Sequence, residues 1–186
     1  MSVETNGYTC YSGGAIGSDW VFETESEKHG FNVVSFSFNE HNTKSQHRLN
    51  LSEEQLKEGF EHIKIANRRL KRNLSYISPY VKNLISRDWF QVKHADAIFA
   101  IGRIYDNNVM GGTGYAVACA IDNKKPVYVF DQIIKCWNYY DYNNNKLKEY
   151  YGVPDLTKKF AGIGTRDINN DGINAILNLF NLLRYE

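Results

Sequence analysis

Three short glycine-rich segments each follow an apolar, β-prone run, and each opens a helical pattern. They are Ser12-Gly13-Gly14-Ala15-Ile16-Gly17-Ser18-Asp19, Gly111-Gly112-Thr113-Gly114 and Gly162-Ile163-Gly164-Thr165-Arg166. Glycine lets backbone N–H groups approach an anion without a Cβ in the way. A helix N-terminus adds a partial positive charge of about +0.5. Each glycine taken alone does no more than permit a tight turn. Three such turns at strand ends predict a ligand, with phosphate as the usual guest. None is a Walker loop, because no Gly-Lys-Ser/Thr follows, and none is a full Gly-x-Gly-x-x-Gly.

The runs between the turns set the order of elements. Residues 8–11 form a strand, followed by a helix through about Lys28 with Val21 and Phe22 inward and Gly30 at its C′ position. Residues 31–38 alternate as a second strand. Residues 39–50 are polar and turn-like. Ser52 with Gln55 predicts a capping box for a helix over 53–73. Another helical stretch covers 78–92, interrupted near Pro79. A strand over 95–101 leads through a loop, 103–110, to the second glycine turn and a helix through Ile121. A strand over 125–130, an aromatic loop or hairpin over 137–151, a strand over 159–163 and a helix over 172–183 complete the chain. Such alternation predicts a single α/β domain with a doubly wound, mostly parallel sheet. Ligands then sit beyond the carboxyl ends of the strands, where all three turns fall.

The bulk numbers remove other classes. A length of 186 residues suits one domain with a sizeable core. Twenty-two basic residues against 21 acidic leave +1, which argues against a nucleic-acid partner. Cys10, Cys119 and Cys136 are far apart, which predicts reduced thiols and no metal site; His41, His47, His62 and His94 also lack metal-ligand spacing. No apolar run approaches the ~20 residues of a membrane span. Residues 1–7 lack an apolar core of a secretion signal, so a cytoplasmic protein is expected.

The turns also carry a resemblance. Ser12-Gly13-Gly14-Ala15, with Gly17 and Asp19, resembles the SGGAxGaD turn of the SLOG superfamily. That group contains the Lonely Guy phosphoribohydrolases, the DNA-processing protein A family and nucleotide-sensing domains of bacterial conflict systems. Gly111-Gly112-Thr113-Gly114 is similar to its second phosphate turn, and the strands on either side match in pattern. Residues 160–166 and the helix after them look like the first strand, turn and helix of many members, yet here they come last. The resemblance therefore implies a Rossmann-like, circularly permuted fold, with residues 159–163 pairing beside residues 8–11. It further implies a nucleotide-like ligand, a nucleoside phosphate or an ADP-ribose derivative, a homo-oligomer and no resident cofactor. The resemblance extends to phage proteins that sequester such a signal, and the cytoplasm is then the host's.

On this reading the ligand-binding residues are Ser12, Gly13, Gly14, Gly17, Asp19, Arg87, Gln91, Gly111, Gly112, Thr113, Gly114, Thr165 and Arg166. The alternative to binding is N-glycosidase chemistry. The related hydrolases place a glutamate after their second turn, where this chain has Ala118. A carboxylate must then come from Asp19, Glu23, Asp88 or Asp131. Asp19 and Glu23, four residues apart on one helix face, are the chosen catalytic pair. Against this, Asp19 could simply complement a helix terminus and Glu23 could be a solvated surface residue. Arg87 could pair with a phosphate, Gln91 could read a base edge and Trp89 could stack on a base. Arg72 is the member of the basic run at 68–72 expected to face the ligand, against a plain solvated face.

Overall fold

The ten strands and five helices of the computed structural model, which describes residues 7–183, alternate along the chain much as the sequence pattern predicts. In order they are β1 (Thr9–Ser12), α1 (Ser18–Lys28), β2 (Asn32–Ser37), β3 (Arg48–Asn50), α2 (Glu53–Leu70) and α3 (Pro79–His94). There follow β4 (Ala97–Gly102), β5 (Ile104–Tyr105), β6 (Asn108–Val109), α4 (Thr113–Asp122), β7 (Val127–Asp131), β8 (Cys136–Asp141), β9 (Lys146–Tyr150), β10 (Lys159–Gly164) and α5 (Asn170–Asn181). The polar N-terminal stretch lies outside the described residues except for Gly7.

Eight strands form one sheet in the order β3-β2-β1-β10-β4-β7-β8-β9. From β3 to β7 all neighbours are parallel, and the β8–β9 hairpin extends the sheet antiparallel. β10, the last strand in the chain, is central. It pairs with β1, Thr9 opposite Lys159, and on its other side with β4, Phe160 opposite Ala97.

Two apolar layers cover the sheet, and β4 shows why. All six of its residues are buried. Ala97, Phe99 and Ile101 enter the layer under α1 and α5, while Ile98 and Ala100 enter the layer under α2, α3 and α4. A strand buried on both faces shows a continuous apolar run rather than alternation. The crossover through α1 lies on one face and moves the chain from β1 to β2. The crossover through α4 lies on the other and moves it from β4 to β7. The strand order thus reverses around β10, and a crevice opens there beyond the carboxyl ends.

Four local expectations are corrected. The turn-like stretch 39–50 contains β3, an edge strand whose three residues are all exposed. It pairs through its backbone and shows no apolar pattern. The loop 103–110 contains the β5–β6 hairpin, whose Asp106 and Asn107 have φ of 48° and 60°. Left-handed conformation at both central residues is what a two-residue hairpin turn requires. Pro79 does not interrupt α3. It occupies the first turn, where its missing N–H costs nothing, behind a Ser78 cap that accepts from Val81 N–H at 3.2 Å. Finally, α2 stops at Leu70, not 73, because Lys71 turns left-handed. The Ser52–Gln55 capping box is present with both of its bonds.

All three cysteines are free. No helix among the described residues is long and apolar enough to cross a membrane.

Candidate functional site

The first glycine turn spends its donors on the protein itself. Gly13 N–H donates to Asp19 Oδ2 at 3.2 Å, Ala15 N–H to the same oxygen at 3.4 Å, and Gly14 N–H to Ser12 Oγ at 3.1 Å. The Asp19 carboxylate therefore occupies the cradle that an external anion would need. Gly13 and Ala15 hold Asp19 in place, Gly14 is tied to Ser12, and Ser12, Gly13 and Gly14 do not line the cleft described below. Gly17 has φ of 99°, and a Cβ on it would stand 2.6 Å from the Arg166 backbone. That close approach lets Ser18 grip the third turn, donating to Thr165 O through both N–H at 3.1 Å and Oγ at 2.8 Å. The first and third turns are thereby fused, although 147 residues separate Ser18 from Thr165.

The second turn is open. Gly111, Gly112 and Thr113 line the cleft at the start of α4. Gly112 caps the helix without a side-chain bond, and a Cβ there would meet nothing within 4 Å. The N–H groups of Gly112 and Thr113 donate to no acceptor among the described residues. Gly114 is buried against Val109 O instead. Arg72 holds this turn from behind, donating to Gly111 O at 2.7 Å and Val109 O at 3.0 Å, with its guanidinium 4.9 Å from the Tyr115 ring centroid. It is not among the residues lining the cleft, contrary to the expectation that it faces a ligand.

Between the turns lies a cleft of about 620 Å³, within the range of small-molecule sites. One face of α3 supplies its floor. Leu84, Arg87, Asp88 and Gln91, at helical spacing, all line it. Arg87 is 6% exposed and donates to Gly13 O and to His41 Nε2, the latter at 3.0 Å. A guanidinium can only donate, so His41 Nε2 accepts and its Nδ1–H donates to Ser37 Oγ at 2.8 Å. Two buried donors on this floor, Arg87 Nε and Gln91 Nε2, have no hydrogen-bond partner. Burying an unpaired donor costs ~1–3 kcal/mol. Around the rim, Ile16, Tyr80, Val81 and Met110 expose apolar surface, and Arg166 stands exposed on the third turn.

The electrostatics of the floor are unequal. Burial raises Asp19 to about 6, against the pull of Arg87 and of the two N–H donors. Burial raises Asp88 further, to about 8, with Arg87 again opposing. Among the described residues the Asp88 carboxyl makes one ion-pair contact, with Arg87 Nε at 4.0 Å, and Asp19 raises it further. His41 is lowered to about 3 by burial and by Arg87 and Arg48. It is neutral in the fold at ordinary pH.

Of the predicted residues, the cleft gathers Asp19, Arg87, Gln91, Gly111, Gly112, Thr113, Thr165 and Arg166. Glu23 is 2% exposed, which overturns a solvated-surface role. It accepts from Ser45 Oγ at 2.7 Å beneath the first turn, away from the cleft lining. Trp89 does not reach the site. Its ring stacks on His62 at 3.6 Å and its Nε1–H donates to Glu58 at 3.2 Å. Asp131 is consumed by the backbone of Ile104, Ile133 and Ile134. His41 and the apolar rim were missed; they come from loops and from a helix start, where no periodic signal marks them. No group of three His, Cys, Asp or Glu among the described residues could hold a metal ion. No protein-family model, curated protein or solved structure matches the chain.

Proposed function

We propose that the cleft binds a nucleotide or nucleotide-derived signal, a nucleoside phosphate or an ADP-ribose-like molecule, in order to sense or sequester it. One observation carries this reading. Gly112 and Thr113, whose N–H groups have no acceptor among the described residues, line a cleft of about 620 Å³ together with Arg87 and Gln91, each of which carries an unpaired buried donor. A phosphate takes the α4 N-terminus, with Arg166 across the opening. The base takes the apolar rim of Ile16, Tyr80, Val81 and Met110, in place of Trp89. The phosphate role moves to the second turn, because the first already holds Asp19.

The central position of β10 beside β1 supports a circularly permuted SLOG-type arrangement. A homo-oligomer follows from that resemblance, and sedimentation tests it. The second reading is N-glycoside cleavage, favoured by Asp19 in the cleft. Ala118, buried in α4, offers no carboxylate.

Calorimetry with AMP, GMP, UMP, CMP and ADP-ribose tests the binding claim, with heat release of any co-purified ligand followed by chromatography. Micromolar binding of at least one member supports it. No heat with any member and no co-purified nucleotide sinks it.

A further inference from the structure

Residues 38–47, which join β2 to β3, form a strap with two tasks. Its first half carries His41 to the cleft floor, where Nε2 accepts from Arg87 at 3.0 Å and the ring stacks on Phe38, centroids 5.1 Å apart. Its second half is fastened to α1 and to the first turn. Ser45 Oγ donates to Glu23 Oε2 at 2.7 Å and accepts from His47 N–H at 3.2 Å. Thr43 Oγ1 donates to Gly14 O at 2.7 Å and accepts from Ser45 N–H at 3.1 Å. The fit is close: a Cβ on Gly14 would stand 2.6 Å from Thr43 Oγ1 and 3.1 Å from Ser45 Cβ.

α1 supplies the fastenings at helical spacing. Asp19, Glu23 and Glu27 follow one another at four-residue steps along one face. Asp19 holds the first turn, Glu23 holds Ser45, and Glu27 meets the His47 ring at 2.6 Å. The outermost pair is exposed, and such pairs contribute little. Glu23 is different. It is buried, its Oε1 has no partner, and its one hydrogen bond among the described residues comes from Ser45. Burying a carboxylate without a cation is costly, and a hydroxyl bond to a charged acceptor is about twice as strong as a neutral one. Ser45 and Glu23 therefore depend on each other.

We propose that Glu23 is a positioning residue: through Ser45 it sets the strap, and through the strap it fixes His41 against Arg87 on the cleft floor. Arg87 Nη1 is shared between Gly13 O and His41, while its Nε has no protein partner. The other side of the His41 ring is tied by Nδ1–H donating to Ser37 Oγ at 2.8 Å. The ring is thereby held in one tautomer, with its proton on Nδ1. Losing the latch lets the strap move, the ring turn and the guanidinium leave its place. The effect on affinity rests on the nucleotide reading above; the effect on His41 does not.

Nitrogen NMR spectra of the histidine rings in the full-length protein test this chain of contacts without a ligand, with the His41 signals identified by their loss in His41→Ala. The wild type should show His41 protonated on Nδ1 and bare on Nε2 at neutral pH. Ser45→Ala and Glu23→Ala shift that ring toward the Nε2–H form that free histidine prefers. Glu23→Gln still offers Ser45 an oxygen and keeps the wild-type pattern. In calorimetry with AMP, GMP, UMP, CMP and ADP-ribose, both alanine variants weaken the member that binds by about 3–30-fold. Glu23→Gln stays within about twofold of the wild type, and adding Glu23→Ala to His41→Ala costs no more than about twofold further. An unchanged His41 tautomer in folded Ser45→Ala overturns this inference. So does a loss in the double variant that equals the two single losses combined. Absence of binding retires the nucleotide reading and leaves the tautomer to decide this one.

Discussion

Asp19 and Arg87 hold the same residue by its two backbone polar groups: Gly13 N–H donates to Asp19 Oδ2 at 3.2 Å, and Gly13 O accepts from Arg87 Nη1. The pair is of opposite charge, and Arg87 lowers Asp19 against the rise that burial imposes. A glycine fits there for reasons of space. A Cβ on Gly13 would stand 2.7 Å from the Arg87 guanidinium carbon and 2.9 Å from Asp19 Oδ2. The turn that looks like an anion cradle in the sequence is thus a clasp that holds one carboxyl and one guanidinium beside a shared cleft.

Gly13→Ala tests the clasp. The added methyl group must push Arg87 or Asp19 aside, at a cost of about 1–3 kcal/mol for overpacking. In a chain of this size, each kcal/mol lowers the melting temperature by about 2–4 °C. Nucleotide affinity should fall together with the melting temperature. A variant with wild-type melting and wild-type affinity would show that Gly13 is a spacer only.

The second turn offers the cleaner separation of fold from binding. Gly112 has φ of −61°, open to any residue, and no atom lies within 4 Å of where its Cβ would be. Gly112→Val is therefore expected to fold and melt like the wild type. Its branched side chain covers the amides of Gly112 and Thr113. Bonds to charged groups contribute ~1.5–3 kcal/mol each, so nucleotide affinity should drop at least about tenfold by calorimetry. Unchanged affinity would remove the phosphate from this turn.

How much of this was legible beforehand depended on whether a signal was local. The strand–glycine–helix units at Gly13, Gly112 and Gly164 are local, and they are where the pattern puts them. The placement of β10 beside β1 came from the resemblance, not from spacing. Edge strand β3 escaped because Arg48, Leu49 and Asn50 are all exposed, leaving no alternation to read. The β5–β6 hairpin had a signal that went unused, the Asp106–Asn107 pair. The inward turn of Asp19, the burial of Glu23 beside Ser45 and the use of Arg72 as a brace depend on where side chains end after packing. No one-dimensional pattern holds that information.

The raised Asp88 has a consequence for stability that is separate from any chemistry. Its fold value lies near 8, above the ordinary carboxylate range, so between about pH 4 and 8 the unfolded chain gives up a proton that the fold keeps. Stability is then fully present at the acid end of that window and declines as pH rises through it. Asp88→Asn removes the titration. The variant should melt higher than the wild type at about pH 8–9, by at least ~2–4 °C for a gain of about 1 kcal/mol, and match it near the acid end. A variant that melts lower at alkaline pH would mean that the ionised carboxylate pairs productively with Arg87.

His41 carries the opposite sign. The fold holds it neutral down to about pH 3, because burial and the guanidiniums of Arg87 and Arg48 oppose a second proton. The unfolded chain takes that proton near about pH 6.5. Its contribution is present above that value and is lost as pH falls toward the fold value. Asp19 works against this loss over part of the same range, since it gains its proton in the fold at about 6. Comparing the wild type with His41→Gln isolates the histidine. Glutamine keeps an acceptor within reach of Arg87 and does not titrate. The wild type should lose more stability than the variant between about pH 6 and 4 in parallel melting curves. Curves of equal slope would mean that His41 accepts a proton in the fold. Arg87 would then no longer be the lone cation on the cleft floor, and an anionic ligand would bind more tightly as the pH is lowered.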